Sequence, residues 1–258
     1  NSAASFSTPP EEEGPCGDWT YHEWAEAFST NDLARSLPPG HIAVCRVQTG
    51  GRGRFNRKWI GEEGGLWASF TVPLSAPADT AAGVHWGHLP LVAGLALFNM
   101  LRGMGLDSVR LRWPNDLLAG KSKLAGILVE RPAENMAVIG IGINCNQTQF
   151  PQELDMATSL RIEAGRPADV NAIAAALLLE LSRMRREFLS RKSDWIAAFS
   201  RNCLTVGKDI QILRAGTVRQ AKATGIGPDA ELLVEYPDGT SGSVSSGEVS
   251  VRGLYGYV

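Results

Sequence analysis

The chain has 258 residues, of which 44% are apolar and 20% charged, with a formal net charge of −2. That length can bury one large domain plus a small one, and the near-neutral balance excludes a global field drawing the molecule onto nucleic acid or an anionic membrane. Cys16, Cys45, Cys145 and Cys203 lie far apart with no CxxC pair, which argues against a disulfide framework or a zinc site and suits a reducing cytoplasm.

The start, "NSAASFSTPPEEEGPCG", lacks both Met and an apolar h-region, so residues 1–17 read as a disordered lead. "DWTYHEWAEAFSTNDLARSL" reads as a strand or turn followed by a helix capped around Ser29 and Thr30. "HIAVCRVQTG" is a short apolar run rich in β-branched residues, hence a buried strand, and it delivers the chain into a basic loop at 50–59. "GGLWASFTVPL" is the next strand, and a helix over about 89–104 ends at "GMG". "SVRLRWPNDLLAGKSKLAGILVER" reads as two strands joined at Pro114-Asn115-Asp116, "NMAVIGIGINCNQ" as a buried strand, and 171–200 as mostly helical. No stretch reaches the ~18 apolar residues of a membrane span. From 204 the pattern alternates and is rich in turns, with a hairpin signal at Pro237-Asp238-Gly239, suggesting a barrel of about five short strands. The fold class is therefore α+β: a mixed sheet packed with helices over 18–203, and a small β-barrel over 204–258.

Two stretches carry chemistry. "GGRGRFNRKW" combines Gly50, Gly51 and Gly53 with Arg52, Arg54, Arg57 and Lys58, and ends at Trp59. A solvated turn is one reading. The other is a phosphate-handling loop, because the glycines let backbone N–H groups approach a ligand and guanidinium forks match phosphate or carboxylate oxygens. Commoner phosphate motifs fail: "GKS" at 120–122 lacks the glycine a P-loop needs five residues earlier, and "GIGIN" at 140–144 has no third glycine and no following helix. In "RWPNDLLAGKSKLAGILVE", Asn115, Asp116 and Lys123 are either an Asx turn with an exposed lysine or a lysine held at the mouth of a buried strand. In the second case Ala125 and Gly126 leave room beside it for a ligand.

Together these segments, in this order, with "STN" upstream and "SGEVSVR" near the end, resemble biotin protein ligase, in the short class without an N-terminal DNA-binding domain. The resemblance runs from about Trp24 to Arg252. It implies a catalytic domain of the class II aminoacyl-tRNA synthetase-like biotin/lipoate ligase fold and an SH3-like C-terminal barrel. It implies a ligase forming a carbon–nitrogen bond: biotin and ATP with Mg2+ give biotinyl-5′-AMP, and the acyl group passes to a lysine of apo biotin carboxyl carrier protein. Carried over by position, Ser29, Thr30, Asn31 and Gln48 meet biotin, as do Gly51, Arg52, Gly53, Arg54, Lys123 and Gly126. Arg54, Arg57, Trp59, Asn115, Lys123, Asn144, Glu248 and Arg252 fall on the ATP or adenylate side, and Lys123, Arg54 and Asp116 are the catalytic set. Phe55 and Asn56 depart from the Arg-Gly common in the family loop. A lipoate- or octanoate-type acyl ligase of the same fold is the alternative. A DNA-binding repressor would need a helix-turn-helix unit, for which the ~20 residues before the catalytic part are too few. The reading expects a cytoplasmic protein without nucleic-acid or membrane partners, and leaves room for a homodimer.

Overall fold

A computed structural model describes residues 9–74, 86–154, 156–187, 191–214, 216–246 and 250–253. Eight strands form one mixed sheet: β1 (Glu12–Cys16), β2 (Trp19–Ala27), β3 (His41–Gln48), β4 (Leu66–Pro73), β5 (Val109–Arg112), β6 (Asp116–Ala119), β7 (Ser122–Ala133) and β8 (Met136–Ile143). Their order is β1-β2-β3-β4-β8-β7-β6-β5. The β2–β3 pair is parallel, and its crossover carries the short helix α1 (Thr30–Ala34); the remaining pairings are antiparallel. Central strands β4 and β8 are buried on both faces, β4 carrying Ser69 and Thr71 on the face toward α1.

One face of the sheet is covered by α2 (Leu89–Gly103) and, packed on it, α4 (Val170–Glu187) and α5 (Lys192–Arg201); α3 (Leu160–Ala164) is a short turn of helix before them. Helix α2 carries Pro90 in its first turn, where a missing N–H costs nothing, and stops ahead of Gly105 at φ +88°. Helix α4 starts where the Asp169 carboxylate accepts the N–H groups of Asn171 and Ala172. Leu97, Leu101, Leu111, Leu117, Ile173 and Leu177 fill this side. The opposite face buries Trp24, Ala43, Cys45, Trp67 and Val138 beneath α1 and the basic loop.

The C-terminal part forms a separate antiparallel sheet of β9 (Asp209–Arg214), β10 (Thr217–Ile226), β11 (Leu232–Glu235), β12 (Ser241–Val244) and β13 (Ser250–Gly253), ordered β12-β11-β10-β9-β13. The five strands match the number read from the sequence, and the hairpin expected at Pro237-Asp238-Gly239 has Gly239 at φ +82°. Trp113 Nε1 donates to Ala230 O at 3.0 Å, tying this sheet to the β5–β6 turn.

Two expectations are corrected. Residues 12–16, read as part of a disordered lead, form edge strand β1, with Glu12 opposite Glu23 and Cys16 opposite Trp19. Their polar composition hid this, because an edge strand contributes backbone groups to β2 more than side chains to the core. Residues 1–8 lie outside the described set. The 108–131 stretch, read as two strands, is three, because "DLLA" is buried on both faces and too short to show a period. The second hairpin turns at Gly120, φ +58°.

That hairpin also contains a bulge. Asp116 pairs with Gly126 and Leu117 with Ala125, but Leu118 pairs with Lys123, leaving Leu124 as an extra residue. Leu124 turns into the helix-covered core, so Lys123 and Gly126, three residues apart, share the opposite face.

Candidate active site

On that opposite face, α1, the basic loop, the β5–β6–β7 turns and residues 147–157 enclose a cavity of about 620 Å³. Its wall includes Ser29, Thr30, Asn31, Gln48, Arg52, Gly53, Arg54, Arg57, Trp59, Asn115, Asp116, Lys123, Gly126 and Asn144. Gly51 stands behind the wall, its carbonyl accepting from Trp59 N at 2.9 Å. Arg252 is placed only as a residue of β13, opposite Gln211, and Glu248 lies outside the described residues.

One part of the cavity is a buried polar cluster. Gln48 Oε1 accepts from Thr30 N at 2.8 Å and from Thr30 Oγ1 at 3.1 Å. Ser69 Oγ lies 2.7 Å from Thr30 Oγ1 and 2.6 Å from Asn31 Oδ1, and Asn31 Nδ2 donates to Glu130 Oε2 at 2.7 Å. Ser29 occupies the N-cap of α1 as the sequence indicates, but its side chain makes no capping bond. Asn31 is spent on the framework, whereas Ser29 Oγ and Gln48 Nε2 keep hydrogen-bonding capacity on the cavity side. A Cβ on Gly140 would sit 2.2 Å from Asn31 Oδ1. Gly140→Ala is therefore expected to lower stability by roughly 1–3 kcal/mol, read as a fall in the urea midpoint; an unchanged midpoint would show that Asn31 moves freely.

Gly142 lies two residues along β8 from Gly140, a step of about 7 Å, and pairs with Gly126 across the ladder. This glycine pair forms a flat floor on which the Trp59 indole rests: a Cβ on either would come within 2.9 Å of the ring. Trp59 Nε1 is buried without a hydrogen-bond partner. The loop behind it is a narrow excursion closed by the Arg52–Lys58 bridge and by Gly53 N donating to Arg57 O at 2.7 Å. Phe55 and Asn56 take φ of +58° and +55° at its tip, the left-handed region where the family's glycine would sit without strain. Arg52 is held bidentately by Asp32 of α1.

Beyond the glycine floor lies a cluster of charge. Lys123 Nζ is 2.8 Å from Asp116 Oδ1, and Arg112 Nη2 donates to Asp116 Oδ2. Burial alone would push the Asp116 carboxyl up, but Lys123 and Arg112 more than reverse this and hold it below the usual carboxylate range. Arg54 donates to Ser246 O and lies 3.5 Å from Asn115 Oδ1. Burial lowers its guanidinium from the ordinary value, with Asp116 opposing that shift and Arg57 adding to it. Asn115 Nδ2 donates to Ile127 O at 2.8 Å and Asn144 Nδ2 to Thr158 O at 3.0 Å, so both amides are oriented by backbone. The cavity thus joins a neutral hydrogen-bonding end to a cationic end across a glycine floor on which the flat Trp59 indole lies.

Residues 15–146, just over half the chain, match the biotin/lipoate A/B protein ligase family. The chain belongs to that family. The ligase family likeness extends to named relatives. A Mycobacterium tuberculosis biotin–[acetyl-CoA-carboxylase] ligase is 32% identical over 198 residues, covering 73% of this chain and 72% of that protein. The Bacillus subtilis bifunctional ligase/repressor BirA is 32% identical over 221 residues, covering 82% of this chain. The chain spans 66% of the length of that relative and of its Bacillus spizizenii counterpart. A biotin protein ligase from Aquifex aeolicus, solved in complex with biotin and ATP, superposes with a TM-score of 0.80 at 28% identity, covering 90% of this chain and 98% of that one.

Several wall residues of this ligase-family cavity escaped the sequence reading. Arg112 had a signal, since it opens the quoted "RWPND" and a tight hairpin brings residues four apart face to face. Phe150, Leu154 and Met156 had none, because the segment carrying them has no regular period. Ile127 also reaches the cavity, whereas its strand neighbour Leu124 is in the core.

Proposed function

We propose that this chain joins biotin to ATP, forming biotinyl-5′-AMP and pyrophosphate, and then transfers the acyl group to a lysine of apo biotin carboxyl carrier protein. The observation that carries this reading is the convergence of Lys123, Arg54 and Asp116 on a cavity that also holds Ser29, Thr30 and Gln48. A buried ureido group needs paired donors and acceptors, which Ser29 and Gln48 offer. The valeryl tail would pass along the Gly126–Gly142 floor beneath the Trp59 indole, which must lift to admit it, bringing its carboxylate to Lys123.

Two anions must then meet, a carboxylate and an α-phosphate. Preorganised cations lower that repulsion and the charge that builds as pyrophosphate leaves. Lys123 is assigned to bridge the two groups and Arg54 to hold the phosphate, with Asn115, Asn144 and Arg57 on the nucleotide side. The mixed anhydride is destroyed by water, so the 50–59 loop serves as lid, with Trp59 as cover. In the second step the acceptor amine arrives as an ammonium, with a free value near ~10.4; Asp116, held ionised, orients it, and once its proton has passed to solvent the amine attacks the acyl carbon, the C–O bond breaks and AMP leaves. Among the described residues no three His, Cys, Asp or Glu side chains cluster to hold a metal ion; magnesium would arrive with the nucleotide's β- and γ-phosphates.

Residues 18–203 serve as the biotin- and ATP-binding unit in this reading, and 204–258 as the SH3-like barrel. A cytoplasmic setting fits the free thiols of Cys45, Cys145 and Cys203. Among the described residues no helix is long and apolar enough to cross a membrane.

ATP-dependent incorporation of labelled biotin into an apo carrier domain tests the reading, with lipoate and its acceptor domain as the comparison. Incorporation of lipoate with none of biotin would replace it by the lipoate-type alternative. Arg54→Gly is expected to release biotinyl-5′-AMP about 10- to 100-fold faster, the loss of charge-assisted hydrogen bonds worth roughly 1.5–3 kcal/mol. Filter retention of labelled adenylate measures this, and wild-type retention would remove Arg54 from the phosphate.

A further inference from the structure

Asp116 is gripped from two sides by cations of unlike character. Arg112 stands opposite it in the β5–β6 register, across the turn at 113–115, and takes Oδ2. Its side chain is 14% exposed against 11% for Asp116. Lys123 reaches Oδ1 from the neighbouring strand on a flexible stem and is 33% exposed. If Lys123 turns to a substrate carboxylate and phosphate, as the proposed function requires, Oδ1 is vacated while Oδ2 stays held. A buried carboxylate left with no partner would take up a proton instead.

We propose that Arg112 is a positioning residue that keeps Asp116 in place as the docking point for the acceptor lysine's ammonium whenever Lys123 is engaged with the adenylate. The inference rests on the proposed ligase reading. It makes Lys123 the exchangeable partner of Asp116 and Arg112 the constant one. The two half-reactions are thereby ordered: Oδ1 opens to the acceptor only after Lys123 has left it for the acyl phosphate. Among the described residues the charged groups facing Asp116 are Arg112 from β5, Lys123 from β7 and Arg54 from the basic loop. The acceptor amine's own titration is common to wild type and variant, so a difference between their pH profiles reports the carboxylate.

Arg112→Gln and Arg112→Lys test this in two assays over pH 5–9. One is biotin-dependent ATP–pyrophosphate exchange; the other is transfer from supplied biotinyl-5′-AMP to an apo carrier domain. Arg112→Gln is expected to lower transfer at pH 7 at least 10-fold more than exchange, and to move the acid limb of transfer to higher pH. The sign follows from removing a cation that favours the carboxylate. Arg112→Lys, which keeps the charge, should return the limb toward wild type. Equal losses in both assays with an unmoved limb would reduce Arg112 to a structural role and overturn the proposal, as would wild-type transfer. Should Arg112→Gln fail to fold, Arg112→Lys decides: wild-type transfer relative to exchange overturns the proposal, and a selective loss of transfer supports it. Absence of exchange by the wild-type chain would instead remove the ligase reading itself.

Discussion

Lys123→Ala should abolish adenylate formation, lowering pyrophosphate release at saturating biotin and ATP by ~10³-fold, equivalent to about 4 kcal/mol of lost transition-state stabilisation. The loss belongs in kcat, because the amine meets its greatest charge as the phosphoryl oxygens develop theirs. The fold should persist. Lys123 is fixed in the ladder by its backbone, whose N–H donates to Met156 O at 2.6 Å and whose carbonyl accepts from Thr158 N at 2.9 Å. Its side chain leaves only the Asp116 contact and a position 5.1 Å from the Trp59 ring centre. Arg112 still neutralises Asp116 in the variant. Near-normal pyrophosphate release from a protein with a wild-type circular dichroism spectrum would remove Lys123 from the chemistry.

Asp116→Asn is expected to destabilise the protein by roughly 2–4 kcal/mol at neutral pH, since it leaves Arg112 and Lys123 confronting each other across a neutral amide. The effect has a pH signature. The folded carboxyl is depressed below its ordinary value, so its stabilisation is fully present above the unfolded value of about 3.9 and is lost as pH falls through the lower folded value. Urea midpoints between pH 2.5 and 7 should therefore converge for wild type and variant at the acid end, separate as pH rises toward ~4, and keep a constant gap above it. Curves that stay parallel throughout would mean that the two cations do not hold the carboxylate.

Much of this architecture was legible because long apolar strands and an uncapped-to-capped helix announce themselves. Helix α2 lies where its apolar run and the following "GMG" placed it, and β3, β4 and β8 lie on the runs that predict them. The cationic loop and Lys123 were legible as motifs, and the cavity draws both into its wall. What stayed hidden was pairwise geometry. Nothing in "TNDLA" says that Asp32 will meet Arg52, and nothing in "LWASFTVP" says that Ser69 will sit under Thr30 and Asn31. Such contacts depend on the parallel β2–β3 crossover that folds α1 back over the sheet, which is set by tertiary packing. Edge strand β1 was illegible for a related reason, since its stabilisation comes from the backbone of its neighbour.

The extra residue at Leu124 sets a numerical condition on the hairpin that carries the reactive amine. Removing one residue from the 120–122 turn would set Leu124 opposite Leu118 and carry the ammonium round to the helix-covered face beside Ala119, whereas removing Leu124 itself would straighten the ladder with Lys123 still opposite Leu118. Residue count between Ala119 and Lys123 is therefore held more tightly than residue identity, and a deletion scan should find positions 120–122 far less forgiving than a substitution scan of the same three.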